Sequence, residues 1–100
     1  MFYSEVHHLQ PLGNKHNGAD NKHNMLVLCP NHHSMFDLGI LAIDPMDGCH
    51  IIHIDSIDNL NGKIIEFKHI VSSINIRYHY ENIHKILKQE LREYILTKYW

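Results

Sequence analysis

The sequence predicts a single α+β domain, and three patterns along its 100 residues support this fold class. Two short apolar runs flank a long polar loop near the N-terminus, β-branched runs follow in the middle, and the C-terminal part repeats apolar residues with a helical period. An apolar content of 44% with 20% charged residues is ordinary for a globular chain, so we expect a packed fold. A domain this short buries a smaller fraction of its surface, so we also expect modest stability.

The N-terminal elements are predicted in the order strand, loop, strand, helix. A short, partly apolar run at Glu5–Leu9 predicts a brief strand, which ends before a proline and a glycine. Residues 13–24 contain turn formers, polar groups and histidines, which indicates a surface loop. Met25–Leu28 predicts a second strand. A helix is expected over Pro30–Leu38, because proline suits a first helical position and Gly39 stands where the helix would end.

The rest of the chain predicts further strands and a terminal helix. Ile40–Ile43 indicates a strand, followed by the turn Asp44–Gly48. The β-branched runs Ile51–Ile57 and Lys63–Ile70 flank a polar, glycine-ending segment, so we expect them to pair as a hairpin. From Asn75 onward apolar residues recur every three or four positions, which predicts an amphipathic helix.

This order gives the expected domain organisation. Residues 1–44 should form a core, residues 45–74 a β-rich extension and residues 75–100 a C-terminal helix, all within one domain.

Composition narrows the classes of function. The formal charge of −2 argues against a protein that holds nucleic acid through a broad basic surface. No apolar run is long enough to span a bilayer and no signal segment is visible, so we expect a cytoplasmic protein without a membrane partner. Two cysteines are too few for a disulfide framework, whereas eleven histidines, most of them in the first third of the chain, indicate metal binding or acid–base chemistry.

Two residue pairs, His33 with Asp37 and His7 with His8, carry the strongest chemical signal. On the predicted helix, His33 and Asp37 are four residues apart, so their side chains share a face and can converge on one ion. His7 and His8 end the first predicted strand and should point to opposite sides of it, because strand side chains alternate. One of them can then bind a metal while the other faces a substrate.

These residues resemble the HNH endonucleases, whose fold is called ββα-metal. The resemblance rests on the segments Glu5–Gly13 (EVHHLQPLG), His16–Asp20 (HNGAD), Asn24–His33 (NMLVLCPNHH) and Phe36–Gly39 (FDLG). Their order and spacing are more specific than a lone histidine pair. Asn75–His79 also looks like the tail that follows the nuclease core in bacterial HNH proteins joined to modified-cytosine-reading domains.

The resemblance implies a role for each matching residue. His8 would be the general base, and Asn24 would brace the loop between the strands. His7 and His33 would bind a divalent metal, and Asp37 would complete a mixed nitrogen and oxygen set. Such a set accepts Mg²⁺ with several retained waters and suits Mn²⁺, Ni²⁺ or Zn²⁺, so the residues do not fix the working ion.

A structural zinc site is incomplete by comparison with the family. Many relatives hold this zinc with a Cys-x-x-Cys pair upstream of the first strand and a second pair at the positions here occupied by Cys29 and His32. No such upstream pair precedes His7. Three explanations stay open: an upstream segment is missing, packing replaces the zinc, or Cys49 and a later histidine complete the set.

The resemblance implies hydrolysis of phosphodiester bonds in double-stranded DNA, with 5′-phosphate and 3′-hydroxyl products. His16, in the loop, and Arg77, beside a tyrosine, are candidates for contact with DNA. No base-reading element is recognisable, so target choice is expected to belong to a separate or missing recognition domain. The alternative is a non-catalytic, metal-stabilised DNA-binding or interaction module derived from a nuclease; the presence of His8 and Asn24 argues against it, since a structural site requires neither.

Overall fold

The computed structural model describes residues 4–13, 15–67 and 69–99. Asn14 of the predicted loop, Lys68 of the predicted hairpin and Trp100 of the predicted helix lie outside the described residues, as do residues 1–3. The elements are, in chain order, β1 (Glu5–His8), a 3₁₀ turn (Lys22–Asn24), β2 (Met25–Leu28), α1 (Pro30–Leu38), β3 (Leu41–Ile43), β4 (Ile51–His53), α2 (Ser73–His79), a π-helical segment (Tyr80–His84) and α3 (Lys85–Tyr99). The predicted α+β fold class is confirmed.

The first hairpin carries side chains of β1 onto α1. Strands β1 and β2 pair antiparallel, with His7 opposite Leu26 and His8 opposite Met25. His7 and Leu26 are buried, whereas Val6 and Val27 on the other face are exposed. This alternation turns one face of the hairpin toward the core and the other toward solvent.

Helix α1 begins and ends at the residues predicted from the sequence, Pro30 and Leu38. Pro30 occupies the first turn, where the missing N–H costs nothing. Gly39 ends the helix in the left-handed conformation, with φ of 88°, and its N–H bonds back to the last turn. Phe36 is buried in the core, so the opposite side of the helix is left for polar residues.

The second hairpin corrects one prediction. Ile51–Ile57 was expected to pair with Lys63–Ile70, but β4 pairs antiparallel with β3, with Ile51 opposite Ile43. Within the described residues, the later run also meets this hairpin, through a bridge between His50 and Ile64 and through backbone hydrogen bonds from the Ile51 N–H to the Lys63 carbonyl and from the Ile65 N–H to the Cys49 carbonyl. Strand β3 is entirely buried, so its backbone groups require partners within the protein, and β4 supplies them.

The C-terminal helices pack against the end of α1. The Ser72 hydroxyl accepts a hydrogen bond from the Ile74 N–H and caps α2. Two buried histidines then bond to carbonyls at the C-terminus of α1: the distance from His79 Nε2 to the Phe36 oxygen is 2.8 Å, and that from His84 Nδ1 to the Gly39 oxygen is 2.8 Å. These bonds supply side-chain donors to carbonyls at the end of the helix, where regular helical hydrogen bonding stops.

One apolar core joins these elements. Its buried members are Leu9, Leu26, Phe36, Leu41, Ile43, Ile51 and Ile76. In the part of the chain that the structure describes, no helix has both the length and the apolar character needed to cross a membrane.

Candidate active site

Three ligand atoms converge between β1 and α1. His7 Nδ1 lies 2.7 Å from Asp37 Oδ1, and His33 Nε2 lies 3.1 Å from Asp37 Oδ2. One nitrogen or oxygen from each of these residues lies within 4.8 Å of the others. The side chains come together because β1 points His7 inward and helical spacing places His33 and Asp37 on one face of α1.

His7 is held neutral by its surroundings. Its side chain is 2% exposed, and this burial lowers the pKa of the imidazole, although the hydrogen bond to Asp37 acts in the opposite direction. A neutral imidazole is the form that coordinates metals, so this environment favours a ligand role.

Glu5 orients His33, a contact that the sequence predictions omitted. The distance from His33 Nδ1 to Glu5 Oε1 is 2.9 Å. When Nδ1–H donates to this carboxylate, the lone pair of Nε2 is directed toward Asp37. The sequence could have indicated that Glu5 lies near the site, because it is two residues before His7 and therefore on the same face of β1.

His8 lies outside the converging group and pairs with a loop carboxylate. His8 Nε2 is 3.0 Å from Asp20 Oδ1, and the imidazole is partly exposed. If Nε2–H donates to Asp20, the Nδ1 lone pair can accept a proton. No role was predicted for Asp20, because the fold of the loop, and not local spacing, brings it to His8.

Asn24 ties the two ends of the loop together. Its Oδ1 accepts from the Gln10 N–H at 2.8 Å, and its Nδ2 donates to the carbonyls of Gln10 at 2.8 Å and Ala19 at 2.9 Å. The side chain is fully buried. These bonds position the segment that carries Asp20 next to β1.

His79 supports the site from α2. Its ring packs edge-on against His7, with 5.4 Å between the ring centroids. Burial lowers the pKa of His79 to about 4, so the ring is neutral at physiological pH. Sequence periodicity placed this histidine on a helix but contained no sign that it would reach His7.

The remaining predicted site residues lie apart from this centre. Cys29 Sγ and His32 Nδ1 are 3.3 Å apart and exposed, and no third cysteine, histidine or carboxylate of the described residues joins them within 4.8 Å. Cys49 therefore does not complete that set. His16 Nδ1 contacts the Tyr78 hydroxyl at 2.6 Å, and Arg77 is exposed and pairs with a glutamate one turn later.

The residues of the converging group fit a divalent ion. Two imidazole nitrogens and a carboxylate form a donor set suited to such ions. Two buried ring nitrogens, His7 Nε2 and His79 Nδ1, have no hydrogen-bond partner among the described residues. Coordination through His7 Nδ1 would leave the ring proton on Nε2, one of these two unpartnered nitrogens, on a ring that packs edge-on against His79.

Comparison with known proteins agrees with this geometry. A family model described as HNH endonuclease matches residues 1–44, which include the first hairpin, α1 and all three converging side chains. Residues 1–44 belong to the HNH endonuclease family. No curated protein matches the chain.

A solved structure extends the likeness beyond the HNH segment. The structure, a modification dependent TagI restriction endonuclease, is similar over 81% of this chain, with a TM-score of 0.68 and 35% sequence identity. This chain spans 28% of that protein's length.

Proposed function

We propose that this chain is a metal-dependent DNA endonuclease that hydrolyses phosphodiester bonds, with His8 as its general base. The observation that carries the proposal is the convergence of His7, His33 and Asp37 within 4.8 Å, with His8 adjoining on β1. This arrangement separates a metal-binding group from a neighbouring proton acceptor. The similar solved structure is a restriction endonuclease, which supports DNA as the substrate.

His7, His33 and Asp37 would hold one divalent ion. When bound, such an ion supplies charge stabilisation at the phosphate and at the leaving oxygen. Mg²⁺ would retain several waters here, and Mn²⁺, Ni²⁺ or Zn²⁺ would suit the two imidazoles. Glu5 would fix the ring of His33, since its carboxylate is 2.9 Å from Nδ1.

His8 would take the proton of the attacking water at Nδ1. Asp20, 3.0 Å from Nε2, would hold the ring in the tautomer that leaves Nδ1 free and would stabilise the imidazolium that forms. As the water oxygen bonds to phosphorus, the bond to the 3′ oxygen breaks and that oxygen takes up a proton from solvent, giving 5′-phosphate and 3′-hydroxyl ends. Asn24 would keep Asp20 in place through the loop that it braces.

Double-stranded DNA is the substrate that we propose, with His16 and Arg77 as contacts to it. His16 belongs to the same loop as Asp20 and is anchored on α2 through Tyr78. A net charge of −2 provides few phosphate contacts, which supports a separate recognition domain. We also propose a single domain divided at residues 44 and 74, and a cytoplasmic location, where both cysteines stay reduced.

The test is incubation of the purified chain with supercoiled plasmid, with a chelator or with each divalent metal in turn. Conversion to nicked or linear DNA that requires a metal and is lost in His33→Ala would support the proposal. No cleavage with any metal, by a chain that still binds the ion, would favour the non-catalytic module. A structural zinc on Cys29 and His32 would then be tested by adding zinc during thermal unfolding.

A further inference from the structure

A second group of ligand atoms lies outside the candidate active site, in the turn that joins β3 to β4. Asp47, Cys49 and His50 each place one ligand atom within 4.8 Å of the others. We propose that this turn binds one divalent transition ion of the Zn²⁺ type through the Asp47 carboxylate, the Cys49 thiolate and the His50 imidazole. The site uses none of the residues assigned to catalysis.

A single imidazole nitrogen is the meeting point of the three side chains. His50 Nδ1 lies in hydrogen-bond contact with Asp47 Oδ2, and Cys49 Sγ lies 3.6 Å from the same nitrogen. An ion bound there replaces the proton that the carboxylate and the imidazole share. The thiol proton also leaves to solvent, because the thiolate is the form that binds metals.

The backbone of the turn is fixed before any ion binds. Asp47 Oδ1 accepts hydrogen bonds from the N–H groups of Cys49 at 2.9 Å and His50 at 3.1 Å, which leaves Oδ2 for the cluster. The His50 carbonyl accepts from the Asp44 N–H at 2.8 Å, and the Cys49 carbonyl accepts from the Ile65 N–H at 2.7 Å. The backbone at Cys49 and His50 is therefore already held by hydrogen bonds, so little conformational entropy is lost when an ion binds.

Gly48 makes this close approach possible. Its φ is +72°, a left-handed conformation that lets the chain reverse between Asp47 and Cys49. Two residues then separate Asp47 from His50, the spacing used by ligand pairs in zinc knuckles.

The donor chemistry selects the class of ion. Thiolate and imidazole favour Zn²⁺, Co²⁺ or Ni²⁺, whereas Mg²⁺ and Ca²⁺ prefer oxygen ligands throughout. The side chains of Asp47 and His50 are partly exposed, so an ion can enter from solvent. The site also differs from the candidate active site in containing sulfur, and this difference makes the two experimentally separable.

Co²⁺ titration of the full chain tests the proposal. A thiolate ligand produces a strong near-ultraviolet charge-transfer band, which nitrogen and oxygen ligands do not. We expect this band in the parent chain, its loss in Cys49→Ser, and its retention in His33→Ala. Cys29→Ser is the matched control, because it removes the other cysteine and should leave the band unchanged.

The outcomes are distinguishable from failure of the proposed nuclease. No band in the parent chain, or a band that disappears in Cys29→Ser and persists in Cys49→Ser, would overturn the site. His50→Gln provides a second variant that keeps the thiol and should weaken Co²⁺ binding by at least about tenfold through loss of one ligand. Unchanged affinity in His50→Gln would contradict the ligand set, whatever the plasmid assay gives.

Discussion

Replacement of Asn24 by alanine should destabilise the domain by about 2–4 kcal/mol, because its side chain satisfies buried backbone groups that nothing else reaches. Asn24 is fully buried and makes three hydrogen bonds of 2.8–2.9 Å. Alanine would leave the N–H and the carbonyl of half-buried Gln10 without partners, and an unpaired buried group costs about 1–3 kcal/mol. The third partner, the carbonyl of exposed Ala19, can turn to water and should add little.

Urea denaturation of the metal-free chain measures this loss. Asn82→Ala is the control, because that exposed amide makes one bond, 3.1 Å from the Tyr78 carbonyl, and its removal should change the free energy of unfolding by less than about 0.5 kcal/mol. Asn24→Asp keeps the acceptor for the Gln10 N–H but places a carboxylate oxygen against carbonyl oxygens, so it should destabilise at least as strongly as alanine. A loss for Asn24→Ala no larger than that of the control would refute the bracing role.

Three further perturbations follow from the packing around the site. With a chelator present, His79 should contribute roughly 3 kcal/mol to the loss of stability as pH drops from 6.5 to about 4, because its folded-state pKa is about 4 and the unfolded chain takes up the proton first. In urea denaturation His79→Gln should reduce the loss by about this amount, and an unchanged pH dependence would contradict the prediction. Glu5→Ala should weaken divalent-metal binding about tenfold in a calorimetric titration, the lower end of the range for loss of an orienting carboxylate, because Glu5 is half-exposed. Affinity equal to that of the parent would exclude an orienting role for Glu5. Gly39→Ala should lower the free energy of unfolding by at least about 1 kcal/mol more than Gly62→Ala. Both glycines have φ near +87°, but only at Gly39 would a Cβ meet a backbone oxygen, that of Ile83, at 2.8 Å. Equal losses would show that the backbone relaxes this contact without cost.

The convergence of His7, His33 and Asp37 was predictable because their geometry is local. Helical spacing places His33 and Asp37 on one face of α1, and strand alternation separates His7 from His8. The start and end of α1 could also be predicted from the sequence, since Pro30 and the glycine after Leu38 act through backbone conformation alone. Sequence spacing was sufficient to predict these features because each depends on the geometry of a single helix or strand.

The partners of these residues were not predictable, because tertiary packing selects them. Asp20 reaches His8 across a loop whose path depends on buried Asn24. Contact between His79 and His7 depends on how α2 docks against α1. The strand partner of β4 was predicted incorrectly for a related reason: both neighbouring runs had β-strand character, and β4 pairs with buried β3, whereas the later run contributes only a bridge and a few backbone hydrogen bonds.

The central claim is that His8 moves a proton and does not hold the ion. The most direct measurement compares metal affinity with plasmid cleavage in His8→Ala, with His33→Ala alongside it. The account predicts that His8→Ala binds the divalent ion as the parent does and cleaves about 10² to 10⁴ times more slowly at every metal concentration, whereas His33→Ala loses affinity for the ion. Cleavage by His8→Ala at the parent rate, or loss of its bound ion, would contradict the account.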